Sequence, residues 1–223
     1  MRSFPGECAS PSRRLLLTAL AGAPLAAVLA AGRRAGAAPD LTEGAQALVQ
    51  SFAREGVLLL EDRAAGAPER VQRFRSLLDK YFAVDAIARW VLGRHWSEFN
   101  REEHAEYRAL FEDLVVYGYV KRFGEYTGER LRIKSVAADS PTQATVFSEI
   151  DRPAEGQPVR VEWRVGAAKD GTLKITDVVV ENVSLSVTWR SDFSSVIQQG
   201  GNPASLLQTM RERIRQLKAD LGA

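Results

Sequence analysis

Lys174-Ile-Thr-Asp177-Val-Val-Val-Glu181-Asn-Val-Ser184-Leu-Ser-Val-Thr-Trp189-Arg190-Ser-Asp-Phe193-Ser-Ser-Val-Ile197 is the stretch whose reading decides the fold. It opens as a strand rich in β-branched residues. Apolar side chains fall at odd positions: Leu173, Ile175, Val179, Val183, Leu185, Val187 and Trp189, interrupted by Asp177 and Glu181. The even positions carry Lys174, Thr176, Asn182, Ser184, Ser186 and Thr188. Such alternation marks a sheet with one face on a core. Val178 and Val180 add bulk to the other face, so the middle of the strand is expected to be covered on both sides. Asn tolerates left-handed backbone, and a bulge or bend is expected at Asn182. After Arg190 the spacing turns helical. The expectation is one long bent strand running straight into a helix, the spine of a curved sheet.

Upstream, period-two patterns at 131–136, 144–150 and 159–165 predict three more strands. The third is clearest, with Val159, Val161, Trp163 and Val165 on one face and Arg160, Glu162 and Arg164 on the other. Short links join the four, which suggests an antiparallel meander. Helices are expected before the sheet. Residues 40–63 place Leu41, Ala45, Leu48, Val49, Phe52, Leu59 and Leu60 on one face, and Gly66-Ala-Pro68 ends that run. A second helix is spaced by Val71, Phe74, Leu77, Leu78, Tyr81 and Phe82. A third covers about 85–92, with Gly93 placed to stop it. Asn100 with Glu103 reads as a capping box for a fourth. The second half of that helix, Leu114-Val-Val-Tyr117-Gly-Tyr119-Val120, bears no charge on any face and must be covered all round. Asn202-Pro203 opens a last helix, whose buried stripe is Leu206, Leu207, Met210, Ile214, Leu217 and Leu221. The order predicts a single α+β domain: N-terminal helices, a curved antiparallel sheet and a C-terminal closing helix.

The N-terminus reads as an export signal. Arg13-Arg14 precede an Ala/Leu run that ends near Ala35-Gly-Ala37, a small-residue cleavage pattern. Twin-arginine and general secretory routes both fit, and the location expected is the periplasm. Cleavage after Ala38 would take 38 of the 223 residues and leave 185. The leader holds five arginines and one glutamate, so its loss turns the net charge from +2 to −2. The basic balance thus belongs to the leader and lends no support to a nucleic-acid partner. Cys8, the one cysteine, leaves with it, so the mature chain has no thiol or disulfide chemistry.

Chemical motifs are sparse. His95 and His104 are the only histidines, no cluster has metal-ligand spacing, and there is no Gly-x-Ser-x-Gly elbow or glycine-rich phosphate loop. Asp177 and Glu181, on the apolar face of the long strand, are the best catalytic candidates. Asp177 as a base abstracting a proton beside a carbonyl would make a small-molecule isomerase. The competing reading gives both carboxylates an arginine or backbone partner. What remains is a surplus of large apolar side chains, including Trp90, Trp96, Phe99, Phe111, Tyr117, Trp163 and Trp189. These are plain core or the wall of a pocket for something greasy. The basic run Arg211, Arg213, Arg215 and Lys218 is a candidate docking face or simply a solvated one.

Two blocks carry a family resemblance. One is Phe82-Ala-Val-Asp85-Ala-Ile87-Ala88-Arg-Trp-Val91-Leu92-Gly93-Arg-His-Trp96, followed by Glu102 to Tyr117. The other is Ile175-Thr-Asp177-Val-Val-Val180-Glu181-Asn-Val183-Ser184-Leu185, then Arg190, Phe193, Gly201 and Leu206. Together they resemble the MlaC family, periplasmic lipid-binding proteins of the toluene-tolerance type, over about residues 41–221. The HpnM branch, linked to hopanoid lipids, is closely similar. The resemblance implies an NTF2-like α+β fold over 39–223, with a deep apolar cavity for acyl tails. It implies no catalysis, metal or cofactor, and a bound phospholipid as cargo. The partners implied are an inner-membrane ABC transporter complex and an outer-membrane lipoprotein complex, with the carrier a monomer that maintains outer-membrane lipid asymmetry. This chain has Asn182 where the family usually has Gly, and Leu173 where Trp is frequent. Inferred wall residues are Trp90, Val91, Val115, Tyr119, Phe123, Phe147, Trp163, Val180 and Val183.

Overall fold

The computed structural model describes residues 40–153 and 156–222. The expected export segment, 1–38, lies outside the described residues. Four helices come first: α1 (Leu41–Glu61), α2 (Ala67–Tyr81), α3 (Val84–Leu92) and α4 (Arg101–Val120). A five-stranded antiparallel sheet follows in simple order: β1 (Arg130–Ser140), β2 (Gln143–Asp151), β3 (Val159–Ala167), β4 (Leu173–Val180) and β5 (Val183–Ser184). Helices α5 (Leu185–Gly200) and α6 (Pro203–Leu221) close the chain. The α+β meander expected from the sequence is the observed architecture.

Helix ends obey local chemistry. Asn100 Oδ1 accepts from the Glu102 and Glu103 N–H groups, and Glu103 Oε2 accepts from the Asn100 N–H at 2.8 Å. That reciprocal box satisfies orphan donors at the start of α4. Asn202 caps α6 through the Ser205 N–H, with Pro203 in the first turn. Gly93 ends α3 at φ 54°, and a Cβ there would come 2.5 Å from an Arg190 guanidinium nitrogen. Backbone and packing therefore both require glycine.

The deciding stretch departs from the single bent strand in two places. The strand changes phase at Thr176, six residues before Asn182. Arg164 pairs with Asp177 while Val165 pairs with Ile175, so Thr176 is the extra residue of a bulge. The bulge moves Val178 and Val180 onto the core face with Ile175, and turns Asp177 and Val179 to the opposite face, where both are buried. A bulge changes which side chains share a face because side-chain alternation has period two. The strand then stops at Val180. Glu181 and Asn182 sit at φ 48° and 65°, and Val180 pairs with Val183. A two-residue loop with both φ positive is the reversal that suits the right-handed twist of the strands. The segment 185–189, which alternates like a strand, is the first turn of α5. Ser184 caps it by accepting from the Val187 N–H at 3.1 Å.

Two apolar cores result. One lies between the sheet and α1, α2 and the end of α4, and includes Val49, Leu77, Tyr81, Val116, Val146, Trp163 and Ile175. The other lies among α3, α4, α5 and α6, and includes Val91, Tyr107, Phe111, Phe193, Leu206 and Met210. Val115 packs against both. The uncharged half of α4 is the shared element, which explains why it must be apolar all round.

Replacing Asn182 by Gly removes a left-handed backbone penalty and is expected to leave stability unchanged or raise it by up to about 1 kcal/mol. Asn182→Val, β-branched at positive φ, should cost about 1–2 kcal/mol. Urea unfolding midpoints of the two variants check both signs.

Candidate functional site

The interior between the sheet and α1–α2 is lined by rings. Phe52 meets Tyr81, Phe82 and Trp163 edge-on, with centroids 5.7, 5.1 and 5.4 Å away. Trp163 Nε1 donates to Ser148 Oγ at 2.9 Å, and that hydroxyl donates to the Val161 carbonyl. Its polar atom is thus satisfied inside an apolar layer. Phe74 packs edge-on against Phe123 at 5.2 Å. Helix α1 is tied over this layer by Glu55, which accepts from Lys80 Nζ and Tyr81 Oη of α2, both at 2.7 Å.

The nine inferred wall residues do not converge on one surface. Trp163, Val180 and Phe123 belong to the sheet-side core, with Val115 at the junction. Val91 is buried in the helical core instead. Trp90 is 44% exposed, with the Arg190 guanidinium over its ring at 4.7 Å. Tyr119 is also exposed. Val183 is 56% exposed because the hairpin carries it to the sheet margin. Phe147 alternates with Val146 and Ser148 along β2, and so stands on the face away from Trp163. Size and apolar character selected these residues, and neither property reports facing.

Two open clefts flank the sheet-side core. The first, of about 610 Å³, runs between α3 and α4 beside the start of β4. It is edged by Asp79, Asp85, Glu112, Arg108 and Lys174. Lys174 Nζ is consumed in donating to the Asp79 and Lys80 carbonyls at the end of α2, each at 2.7 Å. Arg108 pairs with Asp85 at 3.5 Å. The second, of about 670 Å³, runs between α1 and β1. Its floor is Ala53, Val57, Leu58, Leu131 and Ile133, and its rim carries Arg54, Arg130 and Lys134. None of the nine inferred wall residues lines either cleft. The residues of the second cleft escaped the sequence reading because its lining mixes aliphatic, amide and cationic side chains and holds no ring. Their shared face on α1, at spacings of three and four, was the available signal.

The catalytic candidates have other occupations. Asp177 Oδ1 accepts from the Ser186 N–H and Oγ at 3.2 and 2.6 Å. Its Oδ2 accepts from Ser184 Oγ at 2.7 Å and Arg164 Nη1 at 3.3 Å. A general base needs a lone pair directed at substrate; here both oxygens join β3 and β4 to the start of α5. Glu181 accepts from the Arg160 N–H at 2.6 Å and pairs with its guanidinium at 3.1 Å. Those bonds hold its carboxyl below the usual carboxylate range.

His95 is buried, with Nδ1 2.8 Å from Glu98 Oε1 and Nε2 3.1 Å from Ser194 Oγ. The order is that of a nucleophile, base and carboxylate. Acyl transfer also needs donors around an oxyanion. Ser194 lies inside α5, where backbone N–H groups serve the helix itself. The trio therefore works as a tie between the 93–98 turn and α5. Among the described residues, no group of three or more His, Cys, Asp or Glu is placed to hold a metal ion. On α6, Arg211 pairs with Glu106, Arg215 with Glu212 and Lys218 with Asp113, so most of the basic run is neutralised.

The family model described as MlaC protein matches residues 57–212. The chain belongs to the MlaC family. Its fold is also that of a solved structure from Ralstonia solanacearum, a phospholipid-binding protein in complex with a phospholipid. That likeness has a TM-score of 0.67 at 24% identity, and covers 78% of this chain and 98% of the other. No curated protein matches this chain. In this MlaC-family chain the match runs from the last turns of α1 through the sheet to the middle of α6. It therefore takes in the helical core and most of the sheet-side core, whose Ala45, Val49 and Phe52 precede it. No described helix is long and apolar enough to cross a membrane.

Asp177→Asn keeps the shape but replaces an acceptor oxygen by a donor facing hydroxyl and amide donors. It should cost about 2–3 kcal/mol of stability, read as a lower urea midpoint. The Glu55 tie has a pH signature. Bonds from Lys80 and Tyr81 lower its folded pKa, so the tie is complete above the ordinary Glu range. It is lost as pH falls through the lower folded value. The stability difference between wild type and Glu55→Gln should shrink on titration from about pH 6 to pH 3.

Proposed function

We propose that this protein is a periplasmic carrier of phospholipid, the soluble component of an ABC-type lipid transport system. The observation that carries the proposal is the MlaC match over residues 57–212, on a fold shared with a structure that holds a phospholipid. The protein receives lipid at one membrane and gives it up at the other. Its partners are an inner-membrane transporter complex and an outer-membrane lipoprotein complex, between which it moves as a monomer. The physical need is plain. An acyl chain gains about 0.8 kcal/mol for each methylene removed from water, so crossing an aqueous compartment requires an apolar shelter. Here the shelter is the ring-lined layer between the sheet and α1–α2, beside which the α1–β1 cleft lies.

The protein carries lipid rather than transforming it. The buried carboxylate and the serine–histidine–glutamate trio are both occupied in joining elements.

Mature protein expressed with its leader should co-purify with phospholipid, identified by mass spectrometry of the native protein and of its organic extract. Delipidated protein should take lipid up from vesicles. Absence of lipid in both experiments would overturn the proposal; hopanoid in place of phospholipid would move it to the HpnM-like branch.

A further inference from the structure

We propose that the cleft between α1 and the free edge of β1 seats a glycerophospholipid, with its phosphate on Arg54 and Arg130 and an acyl chain over Leu58, Leu131 and Ile133. The inference rests on the carrier reading above and names the place where cargo is held by its head.

Charge separates this cleft from its counterpart. Three cations and no carboxylate line it, whereas three carboxylates border the cleft between α3 and α4, whose two cations are already engaged. A phosphodiester is repelled from the α3–α4 cleft and drawn to the α1–β1 cleft. The two arginines are also available. Among the described residues, Arg130 forms no ion pair. Arg54 Nη2 donates only to Ser51 Oγ, at 3.1 Å. Their neighbours on β1 differ: Arg132 pairs with Asp151 at 2.7 Å and Lys134 with Glu149 at 3.3 Å. Those paired cations suffice to keep an edge strand from recruiting another. The unpaired arginines are left over, and a planar guanidinium suits phosphate oxygens.

The apolar part of the cleft fits the other end of the same molecule. Leu58 is 63% exposed on α1, an unusual place for a leucine flanked by a charged rim. Leu131 and Ile133 face it from β1 and also pack against the sheet-side core. A chain lying on them has a continuous apolar path toward that core. The strand is irregular at this point. Ile133 pairs with Ser148 and Ser135 with Phe147, so Lys134 is the extra residue of a bulge. A bulge bends the strand locally, and here the bend lies beside the cleft. Gln46 and Gln50 extend the rim along α1, offering amides to the glycerol esters.

The test loads mature protein from vesicles containing fluorescent phosphatidylglycerol, or diacylglycerol with the same chains. Wild type is compared with Arg54→Glu/Arg130→Glu and with Arg213→Glu, a charge reversal on α6. The double variant should load phosphatidylglycerol about tenfold less well, the size expected for lost charge-assisted hydrogen bonds. Arg213→Glu should load it normally, and diacylglycerol uptake should not change. A photo-crosslinker in place of Leu58 should label bound lipid, whereas one in place of Trp90 should not. Normal phosphatidylglycerol loading by the double variant, an equal loss for both lipids, or no adduct at position 58 would each overturn the site. With a lipid-loaded wild type, those results leave the carrier reading standing. A wild type that takes up no lipid removes both.

Discussion

The junction between sheet and helices depends on one buried carboxylate. Asp177 is shielded from water and surrounded by four hydrogen-bond donors. Burying a carboxylate is costly unless every lone pair finds a donor. Here the donors come from β3, from the residue before α5 and from its first turn. They can reach one carboxylate only if the chain turns back at once after Val180. The cost of burying this polar group is therefore offset only in one arrangement of the chain. An apolar residue at this position would bury more easily and would specify the reversal less well. Glu181 adds a second constraint by binding the start of β3 while its own backbone is left-handed.

From that reversal the two cores follow. Because β5 is only two residues long, α5 begins beside β4 and lays Phe193 and Ile197 against α3 and α4. Helix α4 must then serve both sides, with Val116 and Val120 toward the sheet and Tyr107 and Phe111 toward α5 and α6. Tyr107 shows how closely the helical side is packed. It is buried, its hydroxyl donates to the Ala88 carbonyl at 2.9 Å, and burial pushes its pKa far upward. This helical core supports the sheet-side layer from outside.

Local chemistry was legible in the sequence, and nonlocal register was not. The Asn100–Glu103 box, Gly93 and Asn202-Pro203 announce their helix ends because every atom involved lies within a few residues. The bulge at Thr176 depends on how β3 lies alongside, which no window of β4 contains. The run 185–189 alternates apolar and hydroxylated residues and reads as strand. Its helical fate is decided by Ser184 as a cap and by Asp177 of β4, which accepts from the Ser186 N–H nine residues on. Glu181-Asn182 between two valine-containing segments was a usable hairpin signal. The nine inferred wall residues are dispersed for a different reason. Trp90, Phe147 and Val183 were chosen for bulk, yet facing depends on helix phase, strand phase and hairpin position respectively. The cleft rim went unnoticed because exposed arginines are ordinary until their carboxylate partners prove to be missing.

On the carrier reading proposed above, the division between apolar floor and charged rim answers a particular demand. Cargo must be sheltered firmly and then surrendered. Acyl burial scales with chain length and has no direction, so by itself it would hold any greasy chain in any pose. Exposed arginines contribute little net energy in water and are screened by salt. They anchor the head modestly and guide it well: opposite charge fixes which end of an amphipathic molecule stays outside and speeds its approach. On the proposed reading, α1 and β1 part while Arg54 and Arg130 keep the head at the rim, and the tail alone passes toward Phe52 and Trp163. The head then remains accessible to whatever accepts the lipid, and release needs no charge to cross the core.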